Sequence, residues 1–234
     1  MMFTALGDTA VVVALGTGAG IDEATLPRVR ALTALLEHDR PAGITDIVPA
    51  YSTVTVFYEP GHLAAGGPRP YEQVCRFITD RARHLDAEAK KKPATSARVV
   101  EIPVCYGGEH GPDLEEVARH CGLEVAEVVA KHRAGDYLVH AIGFAPGFSY
   151  LGGLSEKLHT PRRATPRPSV PAGSLGIGDA QTGIYPLSTP GGWQIIGRTP
   201  VPLFRLGEAE PALLRVGDRV KFRAITPEEF TAWK

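Results

Sequence analysis

Three arginines, Arg162, Arg163 and Arg167, lie in a segment where proline recurs at short intervals. A guanidinium offers a planar fork of donors that matches a carboxylate or a phosphate. The neighbouring prolines restrict the backbone, so less conformational entropy is lost when such a side chain is held at a ligand. The pattern predicts an anion clamp, with Arg162 and Arg167 as catalytic residues and Arg163 as a substrate contact. The alternative is that these arginines bind backbone carbonyl groups or a partner protein.

Two histidines are candidates for proton transfer. His159 precedes Arg162 by three residues and could be a general base or a donor to a developing oxyanion, because histidine titrates near neutral pH. A loop histidine is more often a structural donor, and this alternative stays open. His132 falls in the last turn of a predicted helix, where a cation interacts favourably with the helix dipole. That position explains His132 without chemistry.

Aromatic side chains are concentrated in the same part of the sequence as the arginines. Tyr150 and Tyr185 are flanked by turn residues, and their hydroxyl groups can orient a ligand in a pocket for a small ring. Most aromatic residues simply fill a core, and this is the expectation for Phe144 and Trp193. The sequence therefore predicts that the two tyrosines contact the substrate.

A glycine-rich run at residues 173–178 is followed closely by Gln181 and Thr182. Glycine lets backbone amides approach an anion, so Gly173, Ser174, Gln181 and Thr182 are further candidate substrate contacts. The run is not a phosphate-binding P-loop, because no Gly-Lys-Ser/Thr closes it and no clear helix follows. It does not predict nucleotide binding by itself.

Two common catalytic arrangements are not supported. The glycines around Ser149 miss the spacing of a nucleophile elbow by one residue, so we do not predict a serine hydrolase triad. Cysteine and histidine also come close together in sequence, but their spacing fits no common structural zinc site. The residues concerned are Cys105, His110, His120 and Cys121.

Composition limits the partners to be considered. The 234 residues carry a formal net charge of −1, which gives no reason to expect nucleic acid or an anionic membrane as a partner. Three widely spaced cysteines without a Cys-x-x-Cys predict reduced thiols. The first residues lack the basic and apolar regions of a leader, and no apolar run reaches the roughly 18 residues that span a membrane. We expect a cytoplasmic protein.

A polar stretch at residues 90–96 predicts a linker between two domains, residues 1–92 and 97–234. The first domain has β-rich segments and segments of helical periodicity. They predict strand 9–15, helix 22–38, strands 44–48 and 53–58, and helix 71–85. If residues 98–104 add a strand, the order βαββαβ predicts a ferredoxin-like α/β sandwich. Alternatively, residues 98–104 open the second domain and leave a related open α+β layer.

The second domain begins with two predicted helices. Proline and acidic residues at residues 111–116 suit a first helical turn, and a second helix is predicted at residues 124–133. From residue 137 onward, short strands alternate with Gly/Pro turns. This pattern predicts a closed or nearly closed β-barrel in an α+β protein.

Several blocks of sequence together resemble one protein family. GFAPGFSYLGGL, PRRATPRPSVPAGSLGIGDAQTGIYP and PGGWQIIGRTP are similar to signature blocks of the 5-oxoprolinase B-subunit family, also called KipI-like or allophanate hydrolase subunit 1. The upstream EIPVCYGGEHGPDLEEVA and LGDTAVVV resemble the same family. Ser149 and Asp179 depart from it, standing where a proline and a small residue are common. The resemblance covers nearly the whole chain.

The resemblance implies a cyclophilin-like barrel in the C-terminal domain. It also implies one component of an enzyme complex, inactive alone, that acts with the C and A subunits of 5-oxoprolinase. Together they convert 5-oxo-L-proline, ATP and water to L-glutamate, ADP and phosphate. ATP with Mg²⁺ would be the cofactor of such a complex. Two other functions occur among proteins of this kind and stay open here: inhibition of a sensor histidine kinase, and half of a biotin-dependent carboxyltransferase.

Overall fold

The computed structural model describes residues 1–16, 24–38, 40–63, 66–91 and 98–233. The chain divides into two compact units, Met1–Ala97 and Arg98–Lys234. Of the predicted linker at residues 90–96, residues 92–96 lie outside the described part, as does much of the glycine-rich segment before the first helix. Each unit has its own buried residues and is described separately.

The first unit combines a four-stranded antiparallel sheet with three helices. Its elements are β1 (Met2–Leu6), β2 (Ala10–Ala14), α1 (Leu26–Glu37), β3 (Ile44–Ala50), β4 (Thr53–Tyr58), α2 (Pro70–Ala82) and α3 (Leu85–Lys91). The sheet order is β1-β2-β4-β3, and every pairing is antiparallel. Val11 and Val56 of the sheet and Leu32 and Ile78 of the helices are fully buried, as alternation in the strands and helical spacing predict.

The fourth strand of this sheet is not the one expected for the βαββαβ order. Residues 98–104 fall in a strand that pairs, within the described chain, only with strands of the second unit, so the version in which they complete the first sheet is wrong. The edge strand is β1, which forms a hairpin with β2 and which the sequence pattern did not predict. The connection between β3 and β4 lies at Tyr51 and Ser52, with φ of +52° at Tyr51, because β3 continues through Pro49 and Ala50, beyond the predicted strand 44–48.

The second unit is built on a closed seven-stranded barrel. Its first elements are β5 (Val99–Tyr106), α4 (Leu114–Cys121), α5 (Val125–Ala134), β6 (Tyr137–Ile142), β7 (Ser149–Gly152), β8 (Arg167–Val170) and β9 (Ser174–Gly178). They are followed by β10 (Gln181–Ile184), β11 (Thr189–Gly191), β12 (Gln194–Arg198), β13 (Arg219–Ala224) and α6 (Pro227–Thr231). The barrel order is β6-β13-β5-β12-β9-β10-β7, and β7 pairs with β6 again. The fold is therefore mixed α/β with a closed barrel, compatible with a cyclophilin-like barrel.

The barrel interior is apolar. Val104, Leu151, Leu175, Ile177 and Ile196 are fully buried in one continuous core. Helices α4 and α5 correspond closely to the two helices expected from the sequence. Strands β8 and β11 form a separate two-stranded ribbon, and this ribbon carries Arg167 at one end and Gly191 opposite it.

Candidate functional site

A cleft of about 300 Å³ lies in the second unit, beside the ribbon of β8 and β11. Its walls combine aromatic rings, two arginines, and glycine and proline residues. They are formed by Phe144, Phe148, Tyr150, Arg162, Arg163, Pro166, Tyr185, Pro190, Gly191, Gly192 and Trp193. Four predicted site residues, Tyr150, Arg162, Arg163 and Tyr185, are brought together here. The cleft has the size and composition of a site for a small ligand.

The aromatic wall is rigid because its rings pack edge to face. The ring centroid of Phe148 lies 4.8 Å from that of Tyr150, 5.2 Å from that of Tyr185 and 5.6 Å from that of Trp193. Edge-to-face packing at these distances is favourable. Gly191 makes the arrangement possible, since a Cβ atom at this position would collide with the Tyr185 hydroxyl oxygen. Trp193 is buried, as expected, yet it still lines the cleft.

Phe144 does not belong to a core. Its side chain is 66% exposed, and its φ of +72° lies in the left-handed region that bulky residues rarely adopt. The expectation that Phe144 fills the barrel core is therefore wrong, because the backbone turns it out to the rim of the cleft. Its ring still touches that of Phe148 at a centroid distance of 5.4 Å. Strained backbone that carries an exposed aromatic ring at a cleft is a feature of binding sites rather than of packing.

The loop that carries the arginines is fastened to the barrel by backbone hydrogen bonds. Thr160 and Asp179 exchange two backbone hydrogen bonds, and the amide of Arg163 donates to the carbonyl of Gly192 at 2.7 Å. The side chain of Gln194 donates to the carbonyl of Pro161 at 3.0 Å. The prolines therefore act together with specific hydrogen bonds to fix this loop at the cleft.

Arg162 is the more exposed of the two arginines that line the cleft. Its Nε donates to Oδ2 of Asp179 at 3.0 Å, and both side chains are more than half exposed. The guanidinium carbon lies 6.0 Å from the ring centroid of Trp193, within reach of a cation–π contact. Asp179 thus holds Arg162 at the cleft wall. Asp179 has φ of +57°.

Arg163 and Arg167 share one buried carboxylate. Oδ1 of Asp113 accepts from Nη1 of Arg163 at 3.2 Å and from Nη2 of Arg167 at 2.6 Å. Oδ2 of Asp113 accepts from the backbone amide of Ile195 at 2.6 Å. Asp113 is only 4% exposed. Its position before a helix predicts a role in the first helical turn, but its carboxylate makes no capping hydrogen bond and is turned to the arginines instead.

Gly111 explains how Asp113 reaches the arginines. A Cβ atom at Gly111 would collide with the carbonyl oxygen of Ile196, so only glycine allows this loop to lie against β12. The amide of Asp113 donates to the carbonyl of Ile195 at 2.9 Å. The helix α4 therefore begins directly beside β12, with Asp113 between the barrel and the arginine loop.

Tyr185 brings a hydroxyl group to the charged side of the cleft. Burial raises the pKa of Tyr185, while a hydrogen bond from the backbone of Trp193 and the charges of Arg162 and Arg167 oppose that rise. Tyr185 is therefore neutral at physiological pH and available as a hydrogen-bonding group.

The remaining predicted residues do not line the cleft. His159 is half-buried after a short 3₁₀ turn at Glu156–Leu158. Gly173, with φ of +83°, donates its amide to Tyr185 and accepts from Thr199, and Ser174 is buried at the start of β9. Gln181 begins β10, half-buried. The backbone of the residues on β9 and β10 is used within the barrel.

Thr182 belongs to a buried chain of hydrogen bonds inside the barrel. Its Oγ1 donates to the carbonyl of Gly176 at 2.9 Å, so it accepts from Nε2 of His132 at 3.1 Å. Nδ1 of His132 then accepts from the hydroxyl of Tyr106 at 2.9 Å. Burial lowers the pKa of His132 to about 3. His132 is neutral in the folded protein, and the explanation through a cation at the helix dipole is wrong.

Other candidate chemistry is not found in the described chain. Among the described residues, no group of three or more His, Cys, Asp or Glu side chains is arranged to hold a metal ion. The hydroxyl of Ser149 is fully buried in β7, where no ligand reaches it. None of the described helices is long and apolar enough to cross a bilayer.

The fold and cleft define the class of the protein. Residues 1–214 match the family model described as "Carboxyltransferase domain, subdomain C and D". The crystal structure of TTHA0988 in space group P212121 is similar, with a TM-score of 0.75 at 38% identity. The similarity covers 92% of this chain but 40% of that one, so this chain spans well under half the length of TTHA0988. The class is that of carboxyltransferase-type domains.

Curated relatives narrow this class to one family. The chain is 46% identical over 233 residues to the 5-oxoprolinase B subunit of Bacillus subtilis (strain 168), covering 98% of this chain and 95% of that one. It is 45% identical over 217 residues to the 5-oxoprolinase B subunit of Escherichia coli O157:H7, covering 93% of each. The chain belongs to the 5-oxoprolinase B-subunit family.

Proposed function

We propose that this chain is the B subunit of an ATP-dependent 5-oxoprolinase. The complex opens the lactam ring of 5-oxo-L-proline with ATP and water, releasing L-glutamate, ADP and phosphate. The cleft carries this proposal, because it combines an aromatic wall with arginines at its edge. A small ring packs against Phe148, Tyr150 and Trp193, and its carboxylate is bound by the arginine loop.

The arginines and tyrosines have separate tasks in this proposal. Arg162 and Arg163 line the cleft and bind the substrate carboxylate, while Arg167 supports them from behind through Asp113. The hydroxyls of Tyr150 and Tyr185 orient the lactam by hydrogen bonding. Gly173, Ser174 and Thr182 support the barrel strands behind the cleft. His159 lies outside the cleft, so a role for it in proton transfer requires that the complex bring a reacting group to it.

ATP supplies the activation that a weakly electrophilic lactam needs, but the described residues do not fit its triphosphate. Strand β9, which contains most of the glycine-rich run, is buried and paired with β10 on one side and β12 on the other. Its amides are used in the sheet and cannot form a phosphate cradle. Since the described chain also lacks a metal-binding cluster, we derive no step through ATP or Mg²⁺.

The cleft provides a site for the substrate but none for the triphosphate of ATP, so we propose that other subunits complete the active site. The relatives are themselves named as subunits of 5-oxoprolinase. We propose that the C subunit of the enzyme binds this chain directly and that the A subunit completes the complex, which acts in the cytoplasm. We propose two domains, residues 1–92 and 97–234, of which the second carries the cleft.

The proposal is tested by reconstitution. The purified chain is mixed with the C and A subunits, and glutamate and phosphate release from 5-oxoproline is measured with and without Mg-ATP. We expect ATP-dependent release from the complete mixture and negligible release when any one protein is left out. A complete mixture that releases no glutamate, but carboxylates a small amide when a biotin carboxylase, a biotinylated carrier, bicarbonate and ATP are added, would instead assign the chain to the carboxyltransferases with which its family model is named.

A further inference from the structure

Asp113 does not line the cleft, but its carboxylate binds two of the three arginines beside it. Within the described chain, the hydrogen bonds of its carboxylate go to three donors: Arg163, Arg167 and the amide of Ile195. With 6% of its side chain exposed, this carboxylate is almost completely removed from water. A buried carboxylate with charge-assisted hydrogen bonds holds its partners firmly in place. Asp113 therefore fixes the direction in which both guanidinium groups point.

Arg167 is not saturated by this contact. Its Nη2 binds Asp113, but Nη1 is shielded from solvent and has no hydrogen-bond partner among the described residues. Buried polar atoms without a partner are rare in native structures, and a guanidinium nitrogen without one retains its donor capacity. Arg163, with 38% of its side chain exposed, also keeps donors for a ligand.

The charges around the cleft nearly cancel. Within the part of the chain that the structure describes, three guanidinium groups, Arg162, Arg163 and Arg167, meet two carboxylates, Asp113 and Asp179. One positive charge is left over. A site with one net positive charge near apolar walls favours a monoanion, whereas a second negative charge on the ligand would be left unpaired or would face Asp113.

We propose that Asp113 positions Arg163 and Arg167 and restricts the cleft to small ring compounds with a single carboxylate. This inference rests on the proposed function in taking 5-oxoproline as the natural ligand, but it concerns selectivity, which the reaction alone does not require. Asp113 does not touch the ligand. It acts through the arginines, and its charge excludes dianions such as dicarboxylates and phosphate.

The test uses tryptophan fluorescence. The chain has two tryptophans, Trp193 in the cleft and Trp233 near the C-terminus, so Trp233→Phe leaves Trp193 as the only reporter. Three probes differ in charge: 2-pyrrolidinone is neutral, 5-oxoproline is a monoanion and glutarate is a dianion. We expect saturable binding of 5-oxoproline, and binding of the other two weaker by about tenfold or more, as loss of one charged contact predicts.

Asp113→Asn provides the decisive variant. An amide presents a donor to the arginines and removes one negative charge. We therefore expect the Kd of 5-oxoproline to rise about tenfold, and the preference for 5-oxoproline over glutarate to fall about tenfold. Asp218→Asn is the matched control. Asp218 is also a buried carboxylate that holds an arginine, Arg98, and a backbone amide, that of Arg215, but it lies outside the cleft. A merely structural role would make both variants lose stability without changing the preference among the probes.

Arg163→Gln keeps the test decisive if Asp113→Asn does not fold. This change removes the one net charge, so 5-oxoproline should bind no more tightly than 2-pyrrolidinone. Equal binding of glutarate or inorganic phosphate and 5-oxoproline by the unchanged chain would overturn the inference, and so would the absence of 5-oxoproline binding. If binding behaves as expected but the reconstituted complex releases no glutamate, the proposed function fails and the monocarboxylate cleft stands.

Discussion

The carboxylate of Asp113 lies 2.6 Å from Nη2 of Arg167, a residue 54 positions further along the chain. The arginine has 24% of its side chain exposed and the aspartate 6%, so this ion pair is largely removed from water. The exposed pair of Arg162 and Asp179 forms a natural comparison within the same loop. The two pairs should respond very differently to loss of the arginine.

Arg167→Met should lower the free energy of unfolding by about 1.5–3 kcal/mol, because buried Asp113 would keep only the amide of Ile195 and the longer contact with Arg163. Arg162→Met should change it by no more than about 1 kcal/mol, since exposed ion pairs contribute little. Urea unfolding of both variants gives the comparison. Equal effects would show that Asp113 is not the buried anchor of this loop.

Phe144→Gly should leave stability unchanged or raise it by up to about 2 kcal/mol, because glycine adopts the observed positive φ without strain. Binding of 5-oxoproline should nevertheless weaken, since an aromatic ring is lost from the cleft rim. Phe148→Ala is the control for the buried wall and should cost about 3–5 kcal/mol. A Phe144→Gly variant that is clearly destabilised would mean that the exposed ring supports the fold rather than the ligand.

The stability of the chain should decrease as the pH falls below neutral, partly through His132. Its pKa is about 3 in the folded protein and 6.5 ordinarily, so the unfolded state binds a proton more readily between these values. The free energy of unfolding therefore falls by up to about 1.4 kcal/mol for each unit by which the pH decreases in this window.

Unfolding measured between about pH 6.5 and pH 5.5, above the range where most carboxylates titrate, checks this contribution. His132→Gln should reduce the slope, whereas His120→Gln, at an exposed position on α4, should retain it in full. Identical slopes in all three proteins would contradict the assignment of His132 as a neutral buried side chain.

A fragment of residues 93–234 should fold and bind the C subunit of the enzyme. The barrel has a continuous apolar core of its own, and the cleft residues all lie within this unit. Circular dichroism measures folding, and co-purification with the partner measures binding separately. A well-folded fragment that no longer co-purifies would move the partner surface to the first unit.

Elements with a clear period were predictable from sequence. Helices α4 and α5 and strands β2 and β4 were expected within a few residues, because apolar spacing determines which face is buried. The edge strand β1 was missed, since MFTAL is mostly exposed and lacks a clear alternation. Residues 98–104 were recognised as strand-forming, but pattern alone does not say which sheet a strand joins.

The site was predictable only in part. The arginine loop and the two tyrosines stood out through composition, and the structure brings most of them to one cleft. Asp113 was hidden, because an acidic residue before a helix is explained by capping and its true partners are 50 and 54 residues away. Phe144 was hidden as well, since only the backbone conformation turns it outward. An aspartate at a helix start that makes no cap is a signal that only the structure provides.

The cleft of this chain should bind the substrate carboxylate in the assembled enzyme. The most direct test of this claim is kcat/KM of the reconstituted complex with Arg162→Lys, which keeps the charge but removes the two-pronged donor. Arg223→Lys is the matched control, because Arg223 forms a similar exposed ion pair, with Glu101, outside the cleft. We expect Arg162→Lys to lower kcat/KM for 5-oxoproline at least about tenfold, with unchanged assembly and melting temperature, and Arg223→Lys to have no effect. Wild-type kinetics in a normally assembled Arg162→Lys complex would contradict this claim.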